Sequence, residues 1–124
     1  MIKIILSIFL IGNTLSIFGQ TNSTKTLIGR WEGLDKGSGR TGKFNFIDNR
    51  RMDITYPDGS VDNSTYIIDF KKDPVWFDIT NSNGSKTLKG LIKIENDSTF
   101  KWYLSRDGNR PNDYSKPSVV FRKT

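Results

Sequence analysis

The candidates for acid–base chemistry in this chain are four aspartates. Asp69 and Asp78 sit in segments of alternating polarity, while Asp107 and Asp113 flank the turn-rich run Asp107-Gly108-Asn109-Arg110-Pro111-Asn112-Asp113-Tyr114. Two carboxylates serve as acid and base only where burial or close pairing moves their pKa values apart. Asp69 and Asp78 are expected on the outer face of neighbouring strands and the other two in a loop, so all four read as solvating charges. The chain has neither cysteine nor histidine, which removes thiol nucleophiles, Cys/His zinc sites and a Ser-His-Asp triad. No catalytic residue, metal ligand or cofactor is assigned, and the expectation is a protein that is not an enzyme.

Recognition chemistry is better represented, in three groups. Phe44, Phe46, Tyr66, Phe77 and Trp102 fall on inward positions of an alternating pattern. They either fill a core or line a small apolar pocket in which the Tyr66 hydroxyl orients a ligand. The loop from Arg106 to Tyr114 offers Arg110, whose guanidinium can fork onto a carboxylate or phosphate. Its structural alternative is a plug, with Arg110 paired to Asp69 or Asp113 and Tyr114 packed over a barrel end. The third group is an outer stripe of Trp76, Leu91 and Tyr103 with Ile67 nearby, which is either a partner surface or a set of ordinary scattered exposed residues.

These groups need elements to hold them. Residues 1–19 carry a single charge, Lys3, followed by the apolar run 4–11 and the small residue Gly19. This pattern predicts a signal peptide cleaved near Gly19 and export to the periplasm or beyond, leaving a domain over 20–124 with no transmembrane segment. The formal charge of +6 is scattered, with Lys71-Lys72 and Arg50-Arg51 as isolated pairs. No basic face interleaved with aromatics is present, so no nucleic-acid partner is expected. Asn22-Ser23-Thr24, Asn63-Ser64-Thr65 and Asn96-Asp97-Ser98 match the glycosylation pattern but read as turn and strand chemistry.

Period-two alternation predicts eight strands, over 28–34, 43–47, 51–56, 63–70, 75–80, 87–94, 99–105 and 118–122. Asn83-Gly84 fits a two-residue hairpin turn with both residues at positive φ, which sets Ile79 against Leu88, Asp78 against Lys89 and Trp76 against Leu91. The turn at Asn96-Asp97-Ser98 sets Ile94 against Phe100 and Ile92 against Trp102. The turns near 48–50 and 71–74 set Phe46 against Met52 and Ile68 against Phe77. The inward set is then Phe44, Phe46, Met52, Ile54, Tyr66, Ile68, Phe70, Phe77, Ile79, Leu88, Ile92, Ile94, Phe100, Trp102 and Leu104, with Gly90 on the same face. An open sheet covers one side of such a set; a closed antiparallel up-and-down barrel of eight strands buries it and removes the edges. The fold class expected is therefore all-β.

Gly29-Arg30-Trp31 on the first strand and Arg122 on the last resemble the lipocalin signature, Gly-x-Trp with a C-terminal arginine. The resemblance implies that Trp31 packs at the closed end of the barrel and Arg122 covers it by a cation–π contact. The chain is also similar to a family of small exported bacterial lipocalin-like domains, through the run 27–33, the segments 66–69, 73–79 and 87–91, and the run 108–114 followed by Phe121-Arg122. That similarity implies the barrel and no established activity. Two functions follow as expectations. One is a monomer or weak homodimer that binds a small apolar or amphipathic molecule at the barrel mouth. The other is an envelope protein–protein interaction module that uses the outer stripe or the Arg106–Tyr114 loop.

Overall fold

In the computed structural model, residues 24–35, 39–105 and 107–124 are described. The expected signal peptide, Gly37-Ser38 of the first loop and Arg106 lie outside the described residues. A short 3-10 helix, Thr24–Leu27, leads into eight strands: β1 Gly29–Asp35, β2 Arg40–Phe46, β3 Arg51–Thr55, β4 Val61–Asp69, β5 Trp76–Thr80, β6 Thr87–Asn96, β7 Thr99–Tyr103 and β8 Val119–Lys123. Each strand pairs with the next, and β8 pairs with β1, so the sheet closes into an antiparallel up-and-down barrel. No helix among the described residues is long and apolar enough to cross a membrane.

The expected registers hold. Trp76 faces Leu91, Asp78 faces Lys89 and Ile79 faces Leu88; Ile92 faces Trp102 and Ile94 faces Phe100; Ile68 faces Phe77 and Phe46 faces Met52. The β5–β6 turn nevertheless differs from the expected one. Within this turn only Gly84 has a positive φ, 74°, and among the described residues none other than glycine does. Asn81 N still donates to Lys86 O at 3.0 Å, and Lys86 N donates to the Asn81 side-chain oxygen at 3.1 Å, so four residues form the loop. Register survives because a four-residue loop centred on the same bond keeps the same cross-strand partners as a two-residue one. β2 and β4 begin earlier than expected, and β7 ends at Tyr103, short of Leu104 and Ser105.

Alternation turns the large side chains inward. Phe44, Phe46, Met52, Ile54, Tyr66, Phe77, Ile79, Ile92 and Phe100 form one buried cluster with Leu27, Trp31 and Phe121. Phe121 and Leu27 enter this core without having been among the expected inward set. Phe121 stacks on Phe100 at 5.0 Å and on Phe44 at 4.2 Å between ring centroids. It lies across β1 from Gly33, its ladder partner. A Cβ at Gly33 would sit 2.6 Å from the Phe121 ring, so β8 can close onto β1 only where β1 lacks a side chain.

One end of the barrel is sealed. Trp31 is fully buried, donates its indole N–H to Leu27 O at 2.8 Å, and meets Phe100 edge-on at 4.8 Å. The cation above Trp31 is Lys123, with Nζ 5.4 Å from the ring centroid and 3.4 Å from Thr26 O. This corrects the expected Arg122 contact. Arg122 pairs with Glu32 and Thr99 across the two ladders and is exposed, because strand alternation places it on the face opposite Phe121 and Lys123. Gly29 opens β1 opposite Phe46, at this sealed end.

Trp31→Ala should cost about 3–5 kcal/mol of stability, Lys123→Ala about 0.5–1 kcal/mol, and Arg122→Ala less than about 0.5 kcal/mol. Urea unfolding of the three variants ranks them, and a larger loss for Arg122→Ala than for Lys123→Ala would refute this account of the floor.

Candidate site at the barrel mouth

The aromatic core does not fill the barrel evenly. In the lower half, Phe46 packs 5.0 Å from Tyr66, 6.1 Å from Phe77 and 6.2 Å from Phe100, and Tyr66 packs 6.1 Å from Phe77. Towards the other end, where β1, β3, β5 and β7 finish, the side chains give way to a cavity of about 660 Å³. Its walls are Gly33, Thr41, Gly42, Phe44, Ile54, Thr55, Tyr56, Pro57, Leu88, Trp102, Val119 and Phe121. Phe44, Trp102 and Phe121 form its base, with Trp102 5.1 Å from Phe44 and 6.1 Å from Phe121. The two glycines lower the wall along β1 and β2, which face each other there as Gly33 and Gly42.

Of the five aromatic residues expected to line a pocket, Phe44 and Trp102 do so. Phe46, Phe77 and Tyr66 lie beneath and are buried. The Tyr66 hydroxyl points the other way, donating to Asp48 O in the β2–β3 turn at 2.6 Å. Burial, with a smaller contribution from the nearby Asp48 carboxylate, pushes its pKa up to about 12. Tyr66 therefore anchors the closed end and offers no hydroxyl to the mouth. The wall residues missed at the sequence level, Ile54, Leu88, Val119 and Phe121, sit near strand ends, where alternation shows the face but not the depth.

The mouth has one polar flank. Asp62 is the ladder partner of Ile54 and so shares its inward face. Its carboxylate accepts from Ser64 Oγ at 2.7 Å and Ser82 Oγ at 2.8 Å. The Ser64 hydroxyl, followed by that of Ser82, holds it below the ordinary aspartate range, so it is ionised at neutral pH. Tyr56, on the rim, has its pKa raised by burial first and by Asp62 second. Trp102 carries a further polar atom of the mouth, in addition to the hydroxyls of Thr41 and Thr55. Its Nε1 is buried and has no hydrogen-bond partner among the described residues.

Residues 107–114 do not plug a barrel end; they fold back along the outer wall. Arg110 forks onto Asp78, with Nη1 2.5 Å from Oδ1 and Nη2 3.0 Å from Oδ2. The guanidinium also donates to Gly90 O at 3.0 Å and lies 3.8 Å from the centre of the Trp76 ring. Tyr114 donates its hydroxyl to Ile92 O at 3.1 Å, accepts from Val75 N at 3.3 Å, and packs 4.9 Å from Tyr103. The expected outer stripe is in register but is not a free surface: Leu91 is 0% and Tyr103 4% exposed, beneath this loop. Trp76 keeps 36% exposure and Ile67 72%. Arg110 is thus occupied by Asp78, where Asp69 or Asp113 was the expected partner. Asp78 wins because strand pairing places it beside Trp76 and Gly90, giving one guanidinium a carboxylate, a carbonyl and an indole face together.

The remaining carboxylates cap turns. Asp69 accepts from Lys71 N at 3.0 Å. Asp107 is held below the ordinary range by the Ser105 hydroxyl and then the Asn109 N–H, and Asp113 by the hydroxyl and N–H of Ser115. The shifts of Asp107 and Asp113 run away from neutral pH, opposite to the direction a general acid would need.

Two outcomes follow. Arg110→Ala should cost roughly 2–3 kcal/mol, because it strips a half-buried carboxylate of its partner. Urea unfolding measures the loss, and hydrogen exchange should speed at Gly108–Tyr114; an unchanged midpoint would show that the clamp contributes nothing. The lowered aspartates stabilise the fold fully above the ordinary value of 3.8, and this stabilisation is lost as pH falls below it. Tm should therefore drop as the pH falls below about 4, and drop less in Asp113→Asn; equal drops would dismiss the cap.

No family model, curated protein or solved structure matches the chain.

Proposed function

We propose that this protein is an exported, lipocalin-like binder that takes one small apolar or amphipathic molecule into the open barrel mouth, without catalysis. One observation carries the reading: a solvent-reached cavity of about 660 Å³ with aromatic and aliphatic walls above a filled, sealed floor. That volume lies within the range of small-molecule sites, roughly 300–1,000 Å³. The signal-peptide pattern of residues 1–19 and the Gly29-x-Trp31 motif support export and lipocalin kinship. The interaction-module alternative now rests on Ile67 and Trp76, since Leu91 and Tyr103 are covered.

The neutral dye N-phenyl-1-naphthylamine should brighten on binding at one site per chain. Leu88→Lys, which sets a charged head at the mouth, should weaken binding at least about tenfold, whereas Arg110→Ala on the outer wall should leave it intact. Equal uptake by Leu88→Lys and the unaltered protein would place the dye elsewhere and sink the reading. Native mass spectrometry of protein from its own envelope separates the alternatives: a retained small molecule supports binding, and a retained protein chain supports the interaction module.

A further inference from the structure

We infer that the molecule held at the mouth is neutral and flat, and bears a hydrogen-bond acceptor of the carbonyl class that the Trp102 indole N–H takes. The inference rests on the mouth-binding reading above and narrows it to a ligand class. Trp102 lines the cavity, yet its Nε1 is buried without an acceptor among the described residues. A buried donor left unpaired is unfavourable, and a ligand oxygen that reaches it recovers the lost hydrogen bond.

The surroundings of Nε1 set the size of the acceptor. Nε1 adjoins Gly90, where even a Cβ would come within 3.2 Å of it, within 3.0 Å of Leu104 Cδ2 and within 2.5 Å of Tyr103 O. This corner is close-packed, so an acceptor reaches Nε1 from the cavity only if the Leu104 methyl moves aside, and a single carbonyl oxygen asks for the smallest movement. Leu104 is half-buried and follows the last residue of β7, so its side chain can turn away without breaking a ladder bond.

The shape of the base sets the body of the ligand. The Phe44 and Phe121 rings are stacked at 22°, and Trp102 stands at 69° to Phe44. These faces and edges suit a planar ring better than a flexible chain. Charge decides the rest. Every described residue lining the cavity is uncharged, and Asp62, inward-facing opposite Ile54, is a carboxylate. An anionic ligand would lose its water without gaining a cation, and would face that carboxylate.

Three naphthalenes of similar size test the inference: 2-acetonaphthone, 2-ethylnaphthalene and 2-naphthoate. Affinities come from titration, and the indole N–H resonance of Trp102 is followed in ¹⁵N-labelled protein, assigned by its disappearance in Trp102→Phe. The ketone should bind roughly five- to tenfold more tightly than the hydrocarbon, the scale of one net hydrogen bond. It should also move the Trp102 indole proton downfield, and naphthoate should be the weakest of the three. In Trp102→Phe the ketone-to-hydrocarbon ratio should fall to about one. Equal binding of ketone and hydrocarbon, or a ketone preference with an unmoved Trp102 resonance, would overturn the acceptor role and leave mouth binding standing. Tightest binding by naphthoate would overturn the neutral class. Failure of all three to bind would overturn both this inference and the binding reading.

Discussion

The ladder between β1 and β8 is the constraint on which the rest of the molecule depends. A sheet with Phe44, Phe46, Phe77 and Phe100 on one face cannot stay open in water, since burial of each such ring contributes about 2–3 kcal/mol. Closure requires the last strand to lie against the first, with Phe121 over a residue that has no side chain. Gly33 meets that requirement. The result is a stack in which Phe121 bridges Phe100 below and Phe44 above. The same contact that closes the barrel therefore links its floor to its mouth.

Once closed, the barrel is asymmetric along its axis. The lower half receives Trp31, Leu27, Phe46, Tyr66 and Phe100, tied down by the Trp31 N–H and the Tyr66 hydroxyl to backbone carbonyls. The upper half receives Gly33, Gly42 and side chains at strand ends, which leave room. The floor is thus the filled end of the barrel and the mouth the open one. The buried, unpartnered indole N–H of Trp102 sits on the upper side of that division.

The outer wall shows how a surface that would be apolar is removed. Trp76, Leu91 and Tyr103 align across three strands, and an uncovered row of this kind would invite association. The loop from β7 to β8 covers it, fastened by the Arg110–Asp78 fork and by the Tyr114 hydroxyl between Val75 and Ile92. Arginine suits this place because one planar group satisfies a carboxylate and a carbonyl while lying on an indole ring.

Strand number, cross-strand partners and closure were legible from alternation and turn spacing, because both are local properties and a register follows from the centre of a turn whatever its type. Trp31 as the floor residue was legible from its motif. The rest was decided by tertiary structure. Which cation covers Trp31 depends on a one-residue alternation at the end of β8, so Lys123 and not Arg122 takes the place. Tyr66 and Phe46 share the inward face with Trp102, but depth along the barrel axis, which period-two patterning does not encode, sends them to the floor and Trp102 to the mouth. Arg110 could reach several aspartates by composition alone; the fold brought it Asp78, where a carboxylate, the Gly90 carbonyl and the Trp76 face meet.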